Sequence, residues 1–310
     1  MCDYIIDQKL FFVNREQEDI LKNQFEPVVS GCDVLFTPTG GPPAGVTLIR
    51  NGEGVSLIDS GIDAAVVDGC IVPALAQLGL APDDLDFVLC AHCHGDHIGG
   101  HARLRELAPR AKFGVFAAGA EKLRRPLFYS REIRAKFPAE SPAPPAVLDG
   151  VEPDFLIEAG ETVAGLRLIP APGHDSDAVA FFEPEKRLLV TGDSVQGNGT
   201  WGQGIALYMD RAAYRDTLMR LMALNAEVLV AGHRFEPFPP VLPGEEKVRS
   251  FLEESLSFSE KYDILIREAE EEGIHSVPEI ARRLLERIGC GMPEKLFLAC
   301  WTVASHLKER

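Results

Sequence analysis

The sequence has no stretch that approaches the roughly 18 uncharged apolar residues of a membrane-spanning helix. Its beginning also lacks a basic segment followed by a long apolar run, which is the pattern of a secretory signal. We therefore expect a cytoplasmic protein without a membrane partner. Apolar residues make up 46% of the 310 residues and charged residues 25%, so the chain can bury a sizeable core.

Positive charge and paired cysteines are also scarce. Lys and Arg number 31 against 47 Asp and Glu, and the formal net charge of −16 disfavours nucleic acid as a partner because it repels phosphate. The seven cysteines are odd in number and irregularly spaced, so we predict reduced thiols rather than a disulfide framework. Cys90 and Cys93 overlap the histidine motif described below. We interpret them as packing residues, with a redox pair as the alternative.

Hydrophobic periodicity and turn residues predict a mixed α/β order. Apolar runs at 46–50 and 55–59 flank a glycine-containing turn, which is typical of a β-hairpin. Further strands are predicted at 87–91, 113–117, 162–170, 178–183, 187–191 and 227–231. Helices are predicted at 63–78, from the histidine motif to about 107, at 210–224, and in a tail at 245–310. Residues 118–155 are basic and then rich in proline, which indicates an inserted lid.

Three of the eight histidines fall within one short motif, His92-x-His94-x-Asp96-His97. His92 and His94 lie two residues apart on an extended strand exit, so their rings can turn toward one centre. Asp96 and His97 follow the turn at Gly95 and can face a second centre nearby. Imidazole and carboxylate ligands together favour Zn²⁺, Fe or Mn over Ca²⁺ or Mg²⁺. The motif therefore predicts a metal site. The alternative is a polar cluster without a metal ion, in which three adjacent imidazoles would add little stability.

Three later strand ends each carry one ligand-type residue directly after a glycine. Glycine lets the backbone turn tightly at the mouth of a site. Any one of these pairs could be an ordinary turn, but their recurrence after the histidine motif makes the set specific. The pairs are Gly173-His174, Gly192-Asp193 and Gly232-His233.

The motif HxHxDH, followed by GH, GD and GH and preceded by the strand end Leu57-Ile-Asp59-Ser-Gly61, resembles the metallo-β-lactamase superfamily over about residues 30–235. The resemblance implies an α/β fold of the αββα sandwich type, with the site at one edge of two sheets. It also implies two divalent metal ions, with zinc expected and Fe or Mn as alternatives. The implied ligands are His92, His94 and His174 for the first metal, Asp96, His97 and His233 for the second, and Asp193 as the bridge.

Three positions bear on the branch of this superfamily. The flavodiiron branch has glutamate where this chain has His94, and lactam-cleaving enzymes usually have cysteine where this chain has Asp193. The chain therefore resembles the glyoxalase II-like, lactonase-like and nuclease-like branches, and we place it with the first. Antibiotic degradation is not expected. Lactonases that cleave quorum signals commonly have tyrosine at the position of Gln196, and this departure weakens the lactonase interpretation.

The resemblance also implies that Asp59 steadies the site from behind the ligands, although a helix N-cap or turn aspartate would give the same sequence pattern. Asp96 is placed among the catalytic residues as well as among the ligands. Tyr208 is a candidate donor to the leaving group, or else a packing aromatic.

The lid and the glycine-rich loop after Asp193 supply candidate substrate contacts. Arg124, Arg125 and Arg131 would bind an anionic group of the substrate, or else form a solvated helix face. Trp201 would form a wall of the substrate pocket, or else anchor its own loop.

We predict a hydrolase domain at 1–244, with the lid-like insertion at about 118–155, and a helical C-terminal appendix at 245–310. The appendix loosely resembles the small winged-helix-like appendix of some metallo-β-lactamase-fold hydrolases, including certain endoribonucleases. Its last helix offers only Lys308 and Arg310 as late cations, which gives nucleic-acid binding weak support. A cap over the site and a homodimer contact are the other interpretations.

The predicted function is that of a dinuclear metal-dependent hydrolase. A metal-bridging hydroxide would attack an ester, thioester or lactone of a small-molecule substrate. One alternative is a phosphodiesterase or ribonuclease of the same fold. A second is a mononuclear iron persulfide dioxygenase, for which His92, His174 and Asp193 would suffice as ligands. A third is a non-enzymatic sensor that keeps the metals without turnover.

Overall fold

The computed structural model describes residue 21 and residues 23–308. The expectations stated above for the start of the chain, for Cys2 and for Arg310 therefore lie outside the described residues. Among the described helices, none is long and apolar enough to cross a bilayer.

Two β-sheets form the centre of the fold. The first contains β1 (Glu26–Val29), β2 (Cys32–Thr37), β3 (Ala44–Asn51), β4 (Gly54–Ile58), β5 (Phe87–Leu89), β6 (Lys112–Phe116) and β7 (Phe155–Ile157), hydrogen-bonded in that order. The second contains β8 (Thr162–Val163), β9 (Leu166–Pro170), β10 (Val179–Glu183), β11 (Leu188–Gly192), β12 (Val228–Ala231) and β13 (Val241–Pro243), again in that order. Neighbours from β4 to β7 are parallel, as are β11 and β12, and the remaining neighbours are antiparallel.

The helices lie outside the sheets and in the lid. In chain order they are α1 (Ala64–Val66), α2 (Val72–Gln77), α3 (Gly95–Ile98), α4 (His101–Leu107), α5 (Ala120–Arg124), α6 (Pro126–Ala135), α7 (Arg211–Met222), α8 (Glu245–Glu271), α9 (Val277–Ile288) and α10 (Leu296–Lys308). A π-helical turn (Val67–Ile71) joins α1 to α2, and short 3₁₀ turns lie at Pro82–Asp84 and Ala117–Gly119.

Alternating side chains of the first sheet pack into two different cores. Leu57 of β4 faces outward and packs with Val67 and Leu75 of the helical layer. Its neighbour Ile58 faces inward and packs with Phe181 of the second sheet. A strand covered on both faces needs apolar residues at nearly every position, which explains the continuous apolar runs of the sequence. The layering confirms the predicted αββα sandwich.

The outer face of the second sheet is covered by α7 and by the C-terminal helices. Phe182 and Leu229 of the sheet belong to the same buried cluster as Leu218 of α7, Phe251 of α8 and Leu284 of α9. The tail therefore shares its core with the second sheet. The division of the chain at residue 244 stays a prediction.

Several elements differ from the sequence-based expectations. The predicted lid contains α5 and α6, followed by a stretch without regular structure up to β7. The helix expected at 63–78 is interrupted by the π-helical turn, and the strand expected at 162–170 is divided into β8 and β9. The sequence analysis missed β1, β2, β7 and β13. In β2 all six residues are buried, so the alternation that marks a half-buried strand is absent.

The buried layer between the first sheet and its helices can be tested with two leucines. Leu48 of β3 is fully buried, whereas Leu156 of β7 is 46% exposed. We expect Leu48→Ala to lower the free energy of unfolding by about 2–5 kcal/mol, because it removes buried methyl groups and leaves a cavity. The matched Leu156→Ala variant should lose less than about 1 kcal/mol. Chemical denaturation followed by circular dichroism measures both, and equal losses would contradict the described packing.

Candidate metal centre

The candidate metal centre lies where the ends of several strands meet at one edge of the sandwich. Three backbone hydrogen bonds hold these ends together. Val179 N donates to Ala91 O at 2.9 Å and so links the second sheet to the end of β5. Gly232 N donates to Gly192 O at 2.8 Å, and Gly45 N donates to Gly232 O at 2.7 Å. The segments that carry His92, Asp193 and His233 are therefore fixed by main-chain contacts.

The first group of candidate ligands contains three histidines. His174 Nε2 lies 3.2 Å from His92 Nε2 and 3.0 Å from His94 Nδ1. Nitrogen ligands at about 2.0–2.1 Å from a tetrahedral Zn²⁺ are about 3.3 Å from one another. Both measured distances are close to this spacing, and the ligand atoms of all three histidines lie within 4.8 Å of one another.

The second group combines two histidines with one carboxylate. His233 Nε2 lies 3.3 Å from His97 Nε2 and 3.4 Å from Asp96 Oδ2. The side chain of Asp96 is 35% exposed, whereas His97 and His233 are buried. Asp96 therefore gives this second group its solvent-facing side.

Asp193 lies between the two groups. Its Oδ2 is 3.7 Å from His174 Nε2 in the first group and 3.5 Å from His233 Nε2 in the second. Burial opposes ionisation of this carboxyl, but the charges of His233 and His97 outweigh it and hold the pKa of Asp193 well below its usual range. Its Oδ1 is buried without a hydrogen-bond donor at normal geometry. A buried carboxylate in this position suits a ligand shared by two cations.

The structure brings all seven sequence-predicted ligand residues together in three overlapping groups, within each of which the ligand atoms lie within 4.8 Å of one another. The chemistry of this donor set fits divalent transition metals, since it consists of imidazole nitrogens and carboxylate oxygens.

Asp59 lies directly behind His97. Its Oδ2 is 2.7 Å from His97 Nδ1, and its Oδ1 accepts a hydrogen bond from Ala91 N at 2.8 Å. The residue is buried and adopts a left-handed backbone conformation with a φ of 67°. This contact holds the proton of His97 on Nδ1 and leaves Nε2 to face the ligand group.

Two more histidines are oriented in the same way by backbone oxygens. His174 Nδ1 donates to Leu207 O at 2.9 Å, and His233 Nδ1 donates to Pro43 O at 2.7 Å. Burial and the neighbouring His94 lower the pKa of His174 to about 4, so this ring is neutral at neutral pH. A neutral imidazole has the free lone pair that a metal ion needs.

His94 is oriented by a carboxylate that the sequence analysis missed. His94 Nε2 lies at an ion-pair distance of 3.2 Å from Asp175 Oδ2, and the carboxylate of Asp175 accepts hydrogen bonds from Lys122 and Tyr129. The Tyr129 ring stacks on the His94 ring with 6.1 Å between their centroids. The lid thus contacts the metal centre through α5 and α6.

Asp177 extends this network to the loop between His92 and His94. Its Oδ1 lies 2.6 Å from Lys122 Nζ, and its Oδ2 accepts a hydrogen bond from Cys93 N at 2.9 Å. The only sequence signal for these roles is position, since Asp175 directly follows the candidate ligand His174 and Asp177 comes two residues later.

Tyr208 is fully buried in the helical core. Its hydroxyl lies 3.1 Å from Ser259 Oγ and 2.7 Å from His306 Nε2, and its ring stacks on Tyr214. These partners occupy the hydroxyl within the core, so the structure favours the packing alternative over a leaving-group donor.

Each of the three candidate lid arginines is paired with a carboxylate, lies over an aromatic ring or is exposed. Arg124 donates to Glu121 and Glu152, Arg125 lies over the Phe128 ring, and Arg131 is exposed. This arrangement favours the solvated helix face. Trp201 is 46% exposed in its glycine-rich loop, and its role as a substrate wall stays a prediction.

Cys90 and Cys93 are both buried beside the site. Contact with Cys90 and burial raise the pKa of the Cys93 thiol well above its usual value, which suppresses the reactive thiolate. Packing is therefore the better interpretation of this pair. The cysteines in the part of the chain that the structure describes are free thiols.

Comparison with known proteins gives a family match over the part of the chain that carries the seven candidate ligands. The family model described as "Metallo-beta-lactamase superfamily" matches residues 40–233. A crystal structure of "metallo-beta-lactamase family protein TTHA1429" from Thermus thermophilus is similar with a TM-score of 0.71, covering 91% of this chain and 95% of that one. At 22% identity this likeness is one of fold.

Two curated relatives show how far the sequence similarity extends. A "Beta-lactamase-like protein 2 homolog" of Caenorhabditis elegans is 24% identical over 258 residues, which is 79% of this chain and 75% of the relative. An "Atrochrysone carboxyl ACP thioesterase dmxR1" of Cryptosporiopsis sp. (strain 8999) is 34% identical over 116 residues, which is 37% of this chain and 28% of the relative. The chain spans less than two thirds of the length of several curated relatives that it matches.

Gly232 offers a test of the site's geometry. A Cβ at this position would lie 2.3 Å from Asp193 Oδ1 and 2.9 Å from His97 Cε1. We therefore expect Gly232→Ala to displace the carboxylate and to lose bound metal, measured as metal atoms per chain by elemental analysis. Gly69→Ala is the matched control, because a Cβ there has no neighbour within 4 Å among the described residues. Full metal content in Gly232→Ala would contradict the close approach.

Proposed function

The chain belongs to the metallo-β-lactamase superfamily, and from this premise we propose that it is a metal-dependent hydrolase that holds two divalent cations and hydrolyses a thioester. The observation that carries the dinuclear proposal is the position of the buried Asp193 carboxylate, with ligand atoms of two separate groups 3.5 and 3.7 Å from one of its oxygens. A single cation would occupy only one of these two ligand groups and would leave the other group without a metal ion.

The proposed assignment divides the seven ligands between two metal positions, with zinc expected and Fe or Mn as alternatives. Asp193 would bridge the two positions, and Asp59 and Asp175 would fix the rings of His97 and His94 from behind. The ligands are His92, His94 and His174 at the first position and Asp96, His97 and His233 at the second.

When bound, two divalent cations lower the pKa of a shared water and stabilise negative charge on the carbonyl oxygen. The residues of the chain contribute orientation and proton transfer. Asp96 is partly exposed at the mouth of the site, and we assign it to accept a proton during attack by water. The reaction forms a carbon–oxygen bond and breaks the carbon–sulfur bond, which releases a carboxylate and a thiol.

Two arguments support a thioester over an oxygen ester or a lactone. Thiols have a pKa of about 8.5, so a thiolate leaves without a strong acid, whereas an alkoxide needs a proton donor. Tyr208, the candidate donor, has its hydroxyl bonded within the core. Several relatives also carry the name "Atrochrysone carboxyl ACP thioesterase".

The phosphodiesterase and ribonuclease alternative has less support. The net charge of −16 opposes binding of a polyanion, and Arg124 and Lys122 of the lid are engaged by carboxylates.

Metal analysis combined with a substrate panel tests the proposed function. We expect about two metal ions per chain and faster hydrolysis of thioesters than of esters, lactones or phosphodiesters. One iron per chain together with oxygen uptake would instead indicate a persulfide dioxygenase. Metal content without turnover of any substrate in the panel would also contradict the proposal.

Asp193→Ala tests the bridging assignment. We expect this variant to lose one or both metals and at least about 100-fold in kcat, because the lost carboxylate would be a ligand of both positions. Elemental analysis and steady-state kinetics on a thioester measure the two effects. Asp216→Ala, at an exposed position of α7, is the control and should keep both properties. Near-normal metal content and rate in Asp193→Ala would remove the bridge.

A further inference from the structure

A cavity of about 430 Å³ lies between the lid, the start of α7 and α10, and we call it the lid cavity. This volume falls within the range of roughly 300–1,000 Å³ that is typical of small-molecule pockets. Apolar and aromatic side chains form most of its walls, so it suits an apolar group. These wall residues are Tyr129, Ile133, Pro172, Met209, Ala213 and Trp301.

The lid cavity shares a wall with the metal centre. Tyr129 lines the cavity, and its ring stacks on the ring of the candidate ligand His94 with 6.1 Å between their centroids. Asp175 also lines the cavity, and its Oδ2 lies 3.2 Å from His94 Nε2. The cavity therefore begins one side chain away from the first group of candidate ligands.

Hydrogen bonds to backbone oxygens fix the walls of the lid cavity. The backbone oxygen of Gly173, directly before a candidate ligand, accepts from Met209 N at 2.8 Å and from Asp210 N at 3.1 Å. On the other side, Trp301 Nε1 of α10 donates to Ile133 O of α6 at 2.9 Å. The cavity is therefore formed before a ligand binds, and binding need not order these walls.

The charges around the lid cavity disfavour an anion. Lys122 is the cation among the lining residues, and its ammonium group is already paired with the carboxylates of Asp175 and Asp177. Two further lining residues, Glu132 and Asp210, carry exposed carboxylates. These carboxylates repel a phosphate or a second carboxylate, so the cavity accepts an uncharged group more readily than an anionic one.

We propose that the lid cavity binds the acyl part of the thioester, and that this acyl part is an uncharged, apolar chain of several carbons. The inference rests on the proposed thioesterase function and names its substrate class. The phosphates of a thiol such as coenzyme A stay outside the cavity, because Glu132 and Asp210 repel them. Each methylene group that the cavity buries should raise kcat/KM about fourfold.

A series of acyl groups on one thiol tests the proposal. Acetyl, butyryl and hexanoyl thioesters of N-acetylcysteamine differ only in the length of the acyl chain. We expect the wild type to hydrolyse the hexanoyl thioester with a kcat/KM at least about tenfold above that for the acetyl thioester. A value that is equal for the two substrates would overturn the proposal.

Two neighbouring alanines of α7 provide a matched pair of variants. Ala213 lines the cavity, whereas Ala212 is exposed and does not line it. Ala213→Phe places a ring in the cavity, so kcat/KM for the hexanoyl thioester should fall at least about tenfold, mainly through KM, while the acetyl thioester changes less than about threefold. Ala212→Phe should keep the wild-type series. An unchanged series in a folded Ala213→Phe would refute the assignment of the cavity.

The charge of the acyl part is tested with a succinyl thioester, which adds a carboxylate to a chain like that of butyryl. The wild type should prefer the butyryl thioester. The double variant Glu132→Gln/Asp210→Asn should raise kcat/KM for the succinyl thioester about two- to fivefold, because two exposed carboxylates no longer repel it, and should leave the butyryl thioester unchanged. A wild type that prefers the succinyl thioester would contradict an uncharged acyl part.

Binding of a ketone analogue gives a readout without turnover. In this analogue of the hexanoyl thioester a methylene group replaces the sulfur, so it is not hydrolysed. Calorimetry on the metal-loaded protein should show at least about tenfold weaker binding to Ala213→Phe than to Ala212→Phe. Equal binding to the two variants would count against the lid cavity as the acyl site.

Metal content and thermal unfolding show whether each variant keeps its site and its fold. If Ala213→Phe does not fold, Ala213→Leu decides, since leucine is a good helix former and still occupies part of the cavity. Hydrolysis of the acetyl thioester without any effect of chain length would leave the thioesterase function standing and refute the acyl site. Hydrolysis of none of the thioesters would count against the thioesterase function itself, and the binding of the ketone analogue would then decide on the cavity.

Discussion

The site depends on the close approach of histidine ring nitrogens that come from different strand ends. His92 Nε2 and His174 Nε2 are 3.2 Å apart, and His97 Nε2 and His233 Nε2 are 3.3 Å apart. In His97, His174 and His233 the other ring nitrogen, Nδ1, donates a hydrogen bond to an oxygen acceptor. Each pair of facing nitrogens therefore needs either a proton or a metal cation between its two rings, and a metal ion that binds there displaces the proton. This makes metal binding and the folding of the ligand loops coupled events.

The backbone that enforces this approach is built around glycines. Gly99 and Gly100 follow the histidine motif, and a Cβ at either position would lie within 2.3 Å of a backbone oxygen of the loop after β4. Because these two glycines have no side chain, the loop after β4 can approach the motif closely. Ser60 N of that loop donates to His97 O at 2.7 Å. Asp59 is thereby held against the His97 ring. Rigid strand ends and tight glycine contacts, rather than long flexible loops, thus set the spacing of the ligand atoms.

The sequence allowed the sandwich and the candidate ligands to be predicted because both leave local patterns. Strand ends, glycines and ligand-type residues recur together, so His174, Asp193 and His233 could be named without coordinates. The network around Asp175 could not be predicted, since its partners Lys122 and Tyr129 are 53 and 46 residues away along the chain. The lid cations show the same limit. Lys122 meets Asp175 and Asp177, whereas Arg124 meets Glu152, and these pairings depend on the rotation of the lid helices, which leaves no pattern in the lid sequence.

The tail fixes the lid in place over the metal centre. Trp301 Nε1 of α10 donates to Ile133 O of α6 at 2.9 Å, and Phe297 N donates to Glu140 O at 3.2 Å. The ring of Phe297 also lies beside the guanidinium of Arg134. The position of that charge is therefore determined by two elements outside the sheets. Because the strand ends hold the ligands while the contact of α6 with α10 holds the lid helix whose Tyr129 reaches Asp175, separate parts of the fold position the ligands and the residues behind them.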